Sequence, residues 1–304
     1  MIRPYPLKKG DSIGYIAPAG PIKIERLEAA INSLECLGIN VILGKSCTLK
    51  YGYLAGEDEI RANDINEMFK DKNIKGIFAI RGGYGSARLL DKIDFKAVKR
   101  NPKPFFGYSD ITMLHIAFNQ RCNMITYHSP MPTTELYKGV DKFTYNSLKK
   151  AMFSKNITGN IYNPRKSKLE FLVPGKAKGQ LIGGNLSIIC SSLGTEYEID
   201  TKGKILFIEE IGEDPYKIDR MLMQLIQAGK IKDCSGIVLG YFTQCESSNK
   251  IGSLSIEKIL QDLLVPLHKP IITNLCCGHQ LPTATLPLGA KICFDSQSSS
   301  LRVL

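Results

Sequence analysis

Short apolar runs alternate with helical stripes from residue 12 to residue 118, and this alternation constrains the fold more than any other feature of the sequence. Residues 12–17 form one run, closed by Pro18-Ala19-Gly20-Pro21, after which Ile24, Leu27, Ile31 and Leu34 recur at helical spacing. Gly38 ends that helix, and residues 39–43 form the next run. The pattern repeats with a stripe of Ile60, Ile65, Met68 and Phe69, a buried run at 74–80, and the tight turn Gly82-Gly83-Tyr84-Gly85 into residues 86–90. A run at 104–108 leads directly into helical spacing over 111–118. Strands that alternate with helices imply a mostly parallel sheet covered on both faces, so the N-terminal part is expected to be a doubly wound α/β sheet. Ligands of such sheets lie outside the carboxyl ends of the strands. The turns at 82–85 and 107–110 fall there.

With 304 residues the chain exceeds the roughly 100–150 residues of a usual domain, so two compact units are expected. From about residue 142 to 178 the sequence is polar and irregular, with Pro164, Pro174 and a dense run of Lys and Asn, and it reads as the connection between domains. The expected division is an N-terminal α/β domain over 1–160, a linker over 161–176 and a C-terminal, smaller, β-rich domain over 177–304. Apolar runs at 179–182, 204–208, 236–241, 270–275 and 291–295 supply its strands. Two helices punctuate them. One starts at the N-cap Asp214 with Pro215 at N1 and carries Ile218, Met221, Leu222, Leu225 and Ile226; the other starts at Ser255 and carries Ile256, Ile259, Leu260 and Leu263.

A net charge of +11 suits nucleic acid, an anionic surface or an acidic ligand. The basic residues are scattered, so a solvated basic surface is expected rather than nucleic-acid binding. No apolar run approaches the roughly 20 residues that span a bilayer, and the start lacks the apolar stretch of a secretory signal, so a cytoplasmic, membrane-free protein is expected. The nine cysteines include Cys36, Cys190 and Cys293 in apolar surroundings, and no C-x-x-C pair occurs. They read as reduced core thiols, with no structural zinc.

Ser109 lies in Gly107-Tyr108-Ser109-Asp110, where a strand turns at once into a helix. That geometry exposes a serine at a sheet edge beside a helix N-terminus, as in a nucleophile elbow, although Ile111 replaces the second glycine of G-x-S-x-G. A helix cap is the other reading of the same residue. A serine nucleophile needs a base, and four histidines are available. His115 lies mid-helix and His268 at a strand entrance, whereas His128 and His279 each follow an apolar segment and precede a turn; both can reach a strand end, with His279 favoured. The acid that orients the base can come from Glu209-Glu210, at the end of a buried strand, or from Glu213 and Asp214 in the turn that follows. Arg81-Gly82-Gly83-Tyr84-Gly85 is a weak dinucleotide signal, since Arg88 stands at the last glycine position; its glycines serve a simple turn or let backbone N–H groups approach an oxyanion or carboxylate.

Seven blocks occur in order: Ile16-Ala17-Pro18-Ala19-Gly20; Tyr53-Leu54-Ala55-Gly56 through Arg61 and Asp64; Arg81-Gly82-Gly83-Tyr84-Gly85; Gly107-Tyr108-Ser109-Asp110; Leu181-Ile182-Gly183-Gly184-Asn185-Leu186; Phe207-Ile208-Glu209-Glu210 to Asp219-Arg220; and Gly278-His279. Together they resemble the LD-carboxypeptidases, which include the muramoyltetrapeptide carboxypeptidases and the microcin C immunity peptidases, over nearly the whole chain. The resemblance implies Ser109 as catalytic serine, Glu209 as the glutamate with Glu210 as runner-up, and His279 as the histidine. It implies oxyanion donors in the backbone N–H groups of Asp110 and Gly83. A substrate with a free C-terminal carboxylate would gain from a nearby cation; Arg81 is a candidate, with a structural ion pair as the other reading of that residue, and Tyr84 lies in the same turn. The family's site lies at the junction of an α/β N-terminal and a smaller β-rich C-terminal domain, its members are commonly homodimers, and no metal or cofactor is implied. The implied activity is release of terminal D-alanine from cytoplasmic murein tetrapeptides in peptidoglycan recycling. The alternatives are a microcin C-type peptidase that cleaves a peptidyl-nucleotide amide, and a non-catalytic muropeptide-binding module.

Overall fold

The structure, a computed structural model, describes residues 1–247 and 252–304. The alternation of the first half becomes β1 (Ser12–Ile16), α1 (Leu27–Glu35), β2 (Asn40–Leu43), α2 (Asp58–Lys70), β3 (Ile74–Ala79), α3 (Phe95–Arg100), β4 (Phe105–Gly107), α4 (Thr112–Cys122), β5 (Thr126–His128) and α5 (Lys142–Phe153). These belong to the first of two compact units, Met1–Ile157 with the returning segment Thr285–Gly289. Its sheet runs returning strand, β5, β4, β3, β1, β2; the five numbered strands are mutually parallel, and the returning strand Leu286–Leu288 is antiparallel to β5. Burial on both faces explains why β3 to β5 read as continuous apolar runs. Alternate residues still divide between the faces. Phe78, Phe106 and Tyr127 stack across β3, β4 and β5 at 4.3 and 4.9 Å, whereas Phe105 packs edge-on against Phe118 of α4 at 5.0 Å. Strand order reverses between β1 and β3, so the crevice at their carboxyl ends is the switch point where doubly wound sheets bind ligands.

The second, smaller unit, Thr158–Ala284 with Ala290–Leu304, is β-rich. It contains β6 (Gly159–Asn160), β7 (Glu170–Val173), β8 (Lys176–Asn185), α6 (Leu186–Ser191), β9 (Ile205–Ile211), α7 (Pro215–Gln227), α8 (Lys230–Asp233), β10 (Gly236–Thr243), α9 (Ile256–Leu264) and β11 (Ile271–Thr273); after the returning strand, β12, come β13 (Lys291–Asp295) and β14 (Ser300–Val303). Among the described residues these strands form an eight-stranded sheet, ordered β6-β14-β13-β8-β9-β10-β11-β7. Its centre, β8 to β11, is parallel, and both flanks are antiparallel.

The polar stretch read as a connection carries more structure than its composition suggests. Residues 142–153 form α5, capped by Asp141, whose carboxylate accepts the N–H groups of Phe143 and Thr144 at 2.9 and 3.0 Å. The buried face of α5 is a narrow stripe of Thr144, Leu148, Ala151 and Met152, so its lysines and asparagine lie toward solvent. Within the expected linker, the short run Glu170–Val173 (EFLV) pairs with β11 as an edge strand and stays only half-buried. All nine cysteines are free thiols, although Cys36 is exposed and Cys293 half-buried rather than in the core.

Candidate active site

β4 ends at Gly107, and the chain passes through Ser109 in a left-handed conformation, φ 65°, that costs a non-glycine residue about 1–3 kcal/mol. Such a conformation persists only where its surroundings hold it, and three side chains do so. His115 of α4 donates from Nε2 to the Gly107 carbonyl at 2.9 Å. The Tyr108 hydroxyl donates to Glu135 Oε1 at 2.6 Å, while Glu135 Oε2 accepts the Met131 N–H at 2.9 Å. The buried Asp110 carboxylate accepts the Ser86 N–H at 2.8 Å, and the Ser86 hydroxyl returns a bond to the Asp110 carbonyl at 2.7 Å. Burial pushes the Asp110 carboxyl above its ordinary value, with the Ser86 bonds opposing the shift. His115 is driven down to about 4 by burial, so at neutral pH it is the uncharged Nε2–H tautomer. The Ser109 hydroxyl caps neither the short 3-10 turn Ser109–Ile111 nor α4, which removes the helix-cap reading of this residue. The first N–H groups of that helical segment lack intrahelical acceptors and face the end where negative charge is favoured.

The glycine turn after β3 lies against this serine. A Cβ at Gly82 would sit 2.8 Å from the Ser109 Cβ and 3.0 Å from its Oγ, so only glycine permits the approach. Gly83 follows with φ 111°. The turn is pinned at both ends: Gly20 N–H donates to the Gly82 carbonyl at 3.0 Å, and the Thr133 N–H and hydroxyl both donate to the Ile80 carbonyl at 3.0 and 2.7 Å. Arg81 is exposed, with its guanidinium donating to the Pro21 carbonyl. Tyr84 is also exposed and packs edge-on against Tyr53 at 5.7 Å.

In the second unit the two carboxylates at the end of β9 are separated by strand alternation, which sends adjacent side chains to opposite faces. Glu209 meets His279, Oε2 to Nδ1 at 2.6 Å, with both side chains nearly fully buried. A carboxylate oxygen accepts, so Nδ1 carries the hydrogen and neutral His279 keeps Nε2 as its acceptor. Glu210 is occupied otherwise, accepting the N–H groups of Ile211 and Ser187 and the Asn185 amide, each at 2.8 Å. Burial raises its pKa against those bonds. Glu213 and Asp214 pair with Lys217 at 3.2 and 3.4 Å. The His279 loop is closed by Ala284 N–H to Cys276 O at 2.7 Å, Gly278 N–H to the Thr283 hydroxyl at 3.1 Å, and the Tyr241 hydroxyl to Pro282 O at 3.0 Å. Gly278, φ 131°, lies so close that an added Cβ would be 2.9 Å from Glu209 Oε2.

Of the remaining histidines, His128 is buried at the end of β5 with its ring 5.4 Å from Tyr108, and His268 follows α9 in a left-handed conformation, φ 53°. Ser86, Glu135 and Thr283 had no part in the expected site. Tyr108 and Glu135 are 27 residues apart, and no local pattern marks such a pair. Among the described residues, no group of three or more His, Cys, Asp or Glu side chains is arranged to hold a metal ion, and no helix is long and apolar enough to cross a membrane.

Residues 13–129 match the LD-carboxypeptidase N-terminal domain and residues 178–294 the LD-carboxypeptidase C-terminal domain. A probable murein peptide carboxypeptidase of Bacillus subtilis is 43% identical over 296 residues, covering 97% of this chain and 92% of that protein. The crystal structure of a muramoyltetrapeptide carboxypeptidase from Oxalobacter formigenes superposes with a TM-score of 0.85 at 29% identity, covering 96% of this chain and 97% of the other. A structure of MccF in complex with glutamyl sulfamoyl guanosine gives a TM-score of 0.90 at 25% identity, covering 99% and 97%. With both domain matches in order and a relative this similar along nearly its whole length, the chain belongs to the LD-carboxypeptidase family.

Proposed function

We propose that the chain is a serine-type LD-carboxypeptidase that releases the terminal D-alanine of murein tetrapeptides, with Ser109 as nucleophile, His279 as general base and Glu209 as its orienting acid. The observation that carries the reading is the 2.6 Å bond from His279 Nδ1 to Glu209, because it leaves Nε2 as the nitrogen that takes the serine proton. In the proposed step that proton moves to Nε2 as Ser109 Oγ bonds the carbonyl carbon of the penultimate residue. The N–H groups of Asp110 and Gly83 hold the oxyanion. The C–N bond then breaks, His279 returns the proton to the departing D-alanine amine, and a water deprotonated by His279 cleaves the ester. Arg81 is offered to the substrate carboxylate and the exposed ring of Tyr84 to the peptide. The chemistry draws on no cofactor.

The likeness to MccF, bound in its structure to a sulfamoyl nucleoside, favours one second reading, cleavage of a peptidyl-nucleotide amide. The higher identity to the Bacillus subtilis relative ranks the murein substrate first. Parallel assays on a murein tetrapeptide and a glutamyl sulfamoyl nucleoside separate the two: the expected result is faster turnover of the tetrapeptide with free D-alanine as product, and preference for the nucleoside reverses the ranking. A cytoplasmic homodimer that engages neither nucleic acid nor membrane completes the proposal. The nine free thiols fit a reducing compartment, and sedimentation at micromolar concentration tests the dimer.

A further inference from the structure

The block from Tyr53 to Asp64 has no part in the chemistry above, yet it holds Arg61, the largest of the fully buried side chains. A guanidinium is stable in an interior only where its fork is matched by acceptors. Arg61 Nε donates to the Gly56 carbonyl at 3.2 Å, one Nη donates to the carbonyls of Pro18 and of Gly85, the latter at 3.0 Å, and the other Nη pairs with Asp58. The three carbonyls belong to three separate loops: the one after β1, the one before α2 and the one after β3. One turn along α2, Asp64 accepts the N–H groups of Lys45 and Ser46 at 3.0 and 2.7 Å and the Ser46 hydroxyl at 2.5 Å. Ser46 Oγ in turn accepts the Ala17 N–H at 3.0 Å.

Helix α2 therefore grips the loop after β1 at two adjacent residues, Ala17 through its N–H and Pro18 through its carbonyl. That loop continues to Gly20, which bonds Gly82, and Gly82 lies against Ser109. A second route runs from Arg61 to Gly85 and on through Ser86 to both the carboxylate and the carbonyl of Asp110. One route ends on Gly82, which precedes Gly83, and the other on Asp110, so each ends at one of the two proposed oxyanion donors or beside it.

We propose that Arg61 and Asp64 are positioning residues for the oxyanion side of the site, fixing the turns at 17–20 and 82–86 so that Gly82-Gly83 and Asp110 keep their place against Ser109. This inference rests on Ser109 being the nucleophile. A lysine at position 61 keeps the charge but cannot reach three loops, so the guanidinium fork is the functional element.

The test uses the full-length protein and its Arg61→Met, Arg61→Lys and Ser46→Ala variants. It reads kcat, KM and affinity for a peptide boronate whose tetrahedral oxygen takes the oxyanion position. In Arg61→Met, kcat is expected to fall about 10²-fold with KM changed less than about threefold, and boronate affinity to fall in step with kcat. Arg61→Lys should recover little of that loss, and Ser46→Ala should lose about tenfold in kcat. A folded Arg61→Met enzyme with wild-type kcat and boronate affinity overturns the proposal, even if it melts earlier. So does a KM that rises as far as kcat falls, which marks a general structural role. Where Arg61→Met does not fold, Ser46→Ala decides, and wild-type kcat and boronate affinity in that variant overturn the proposal. Failure of the underlying reading has a separate signature, turnover that survives in Ser109→Ala.

Discussion

Two strand ends in this molecule are built from the same kind of adjacent pair and solve the same problem differently. At the end of β4, Ser109 is followed by the buried Asp110, which accepts a backbone N–H from Ser86; at the end of β9, Glu209 is followed by the buried Glu210, which accepts backbone N–H groups from Ile211 and Ser187. In both, the carboxylate of the second residue accepts backbone N–H groups and leaves the first side chain to other contacts. Ser109 is turned out by its own left-handed conformation, while Glu209 is turned out by the alternation of β9, opposite a register irregularity of β10. Of the two, Ser109 alone carries backbone strain, and Glu209 needs none.

The contrast can be broken most sharply at Ser109 and Glu209. In Ser109→Ala, kcat for D-alanine release is expected to fall on the order of 10⁶-fold. Glu209→Gln should cost about 10⁴-fold, because the amide no longer fixes the imidazole tautomer. Glu210→Gln should stay within about tenfold of wild type in kcat and instead lose about 1–3 kcal/mol in urea denaturation, because its backbone partners lose an acceptor. Equal kinetic effects of the two glutamine variants would mean that the roles at β9 are not divided as described. At β4, Gly82→Ala pushes a methyl against Ser109 and should lower kcat about 10²-fold in steady-state assays with little change in stability.

The last effect, on acid stability rather than turnover, concerns the clamp behind Ser109. The pKa of His115 is depressed to about 4 from an ordinary 6.5, so the unfolded chain takes up a proton that the folded one refuses. Its contribution is complete above pH 6.5 and is lost as pH falls toward 4, about 3 kcal/mol in all. Asp110 and Glu210, both raised, act in the opposite sense, contributing below their ordinary values near 4 and less as pH rises. Urea midpoints measured between pH 6.5 and 4 should slope less steeply in His115→Asn than in wild type. An unchanged slope would remove His115 from the account of acid sensitivity.

The parallel sheet of the first unit was legible because two-sided burial leaves continuous apolar runs, and its carboxyl-end turns carried the glycines and serine that mark the site. The helix α5 and strand β7 were not, because the helix buries only a narrow stripe and the strand is a four-residue run, Glu170-Phe171-Leu172-Val173, set inside a polar stretch. The returning strand Leu286–Leu288 was equally hidden: three residues with a central proline, placed by pairing with a strand roughly half the chain away. For the acid, spacing left Glu209, Glu210, Glu213 and Asp214 open and the family resemblance put Glu209 first; the fold then separates the one that meets His279 from the one that holds Asn185. Arg61 and Asp64 stood in a recognisable block, but their purpose lies in carbonyls and N–H groups of loops remote in sequence.

The most direct measurement is mass spectrometry of a murein tetrapeptide incubated with the wild-type protein and, in parallel, with folded Ser109→Ala. The expected result is loss of one terminal alanine, recovered as the free D-amino acid, with the wild type alone. A tetrapeptide left intact by the wild type, or trimmed equally by the variant, would contradict the assignment of Ser109 as the nucleophile of an LD-carboxypeptidase.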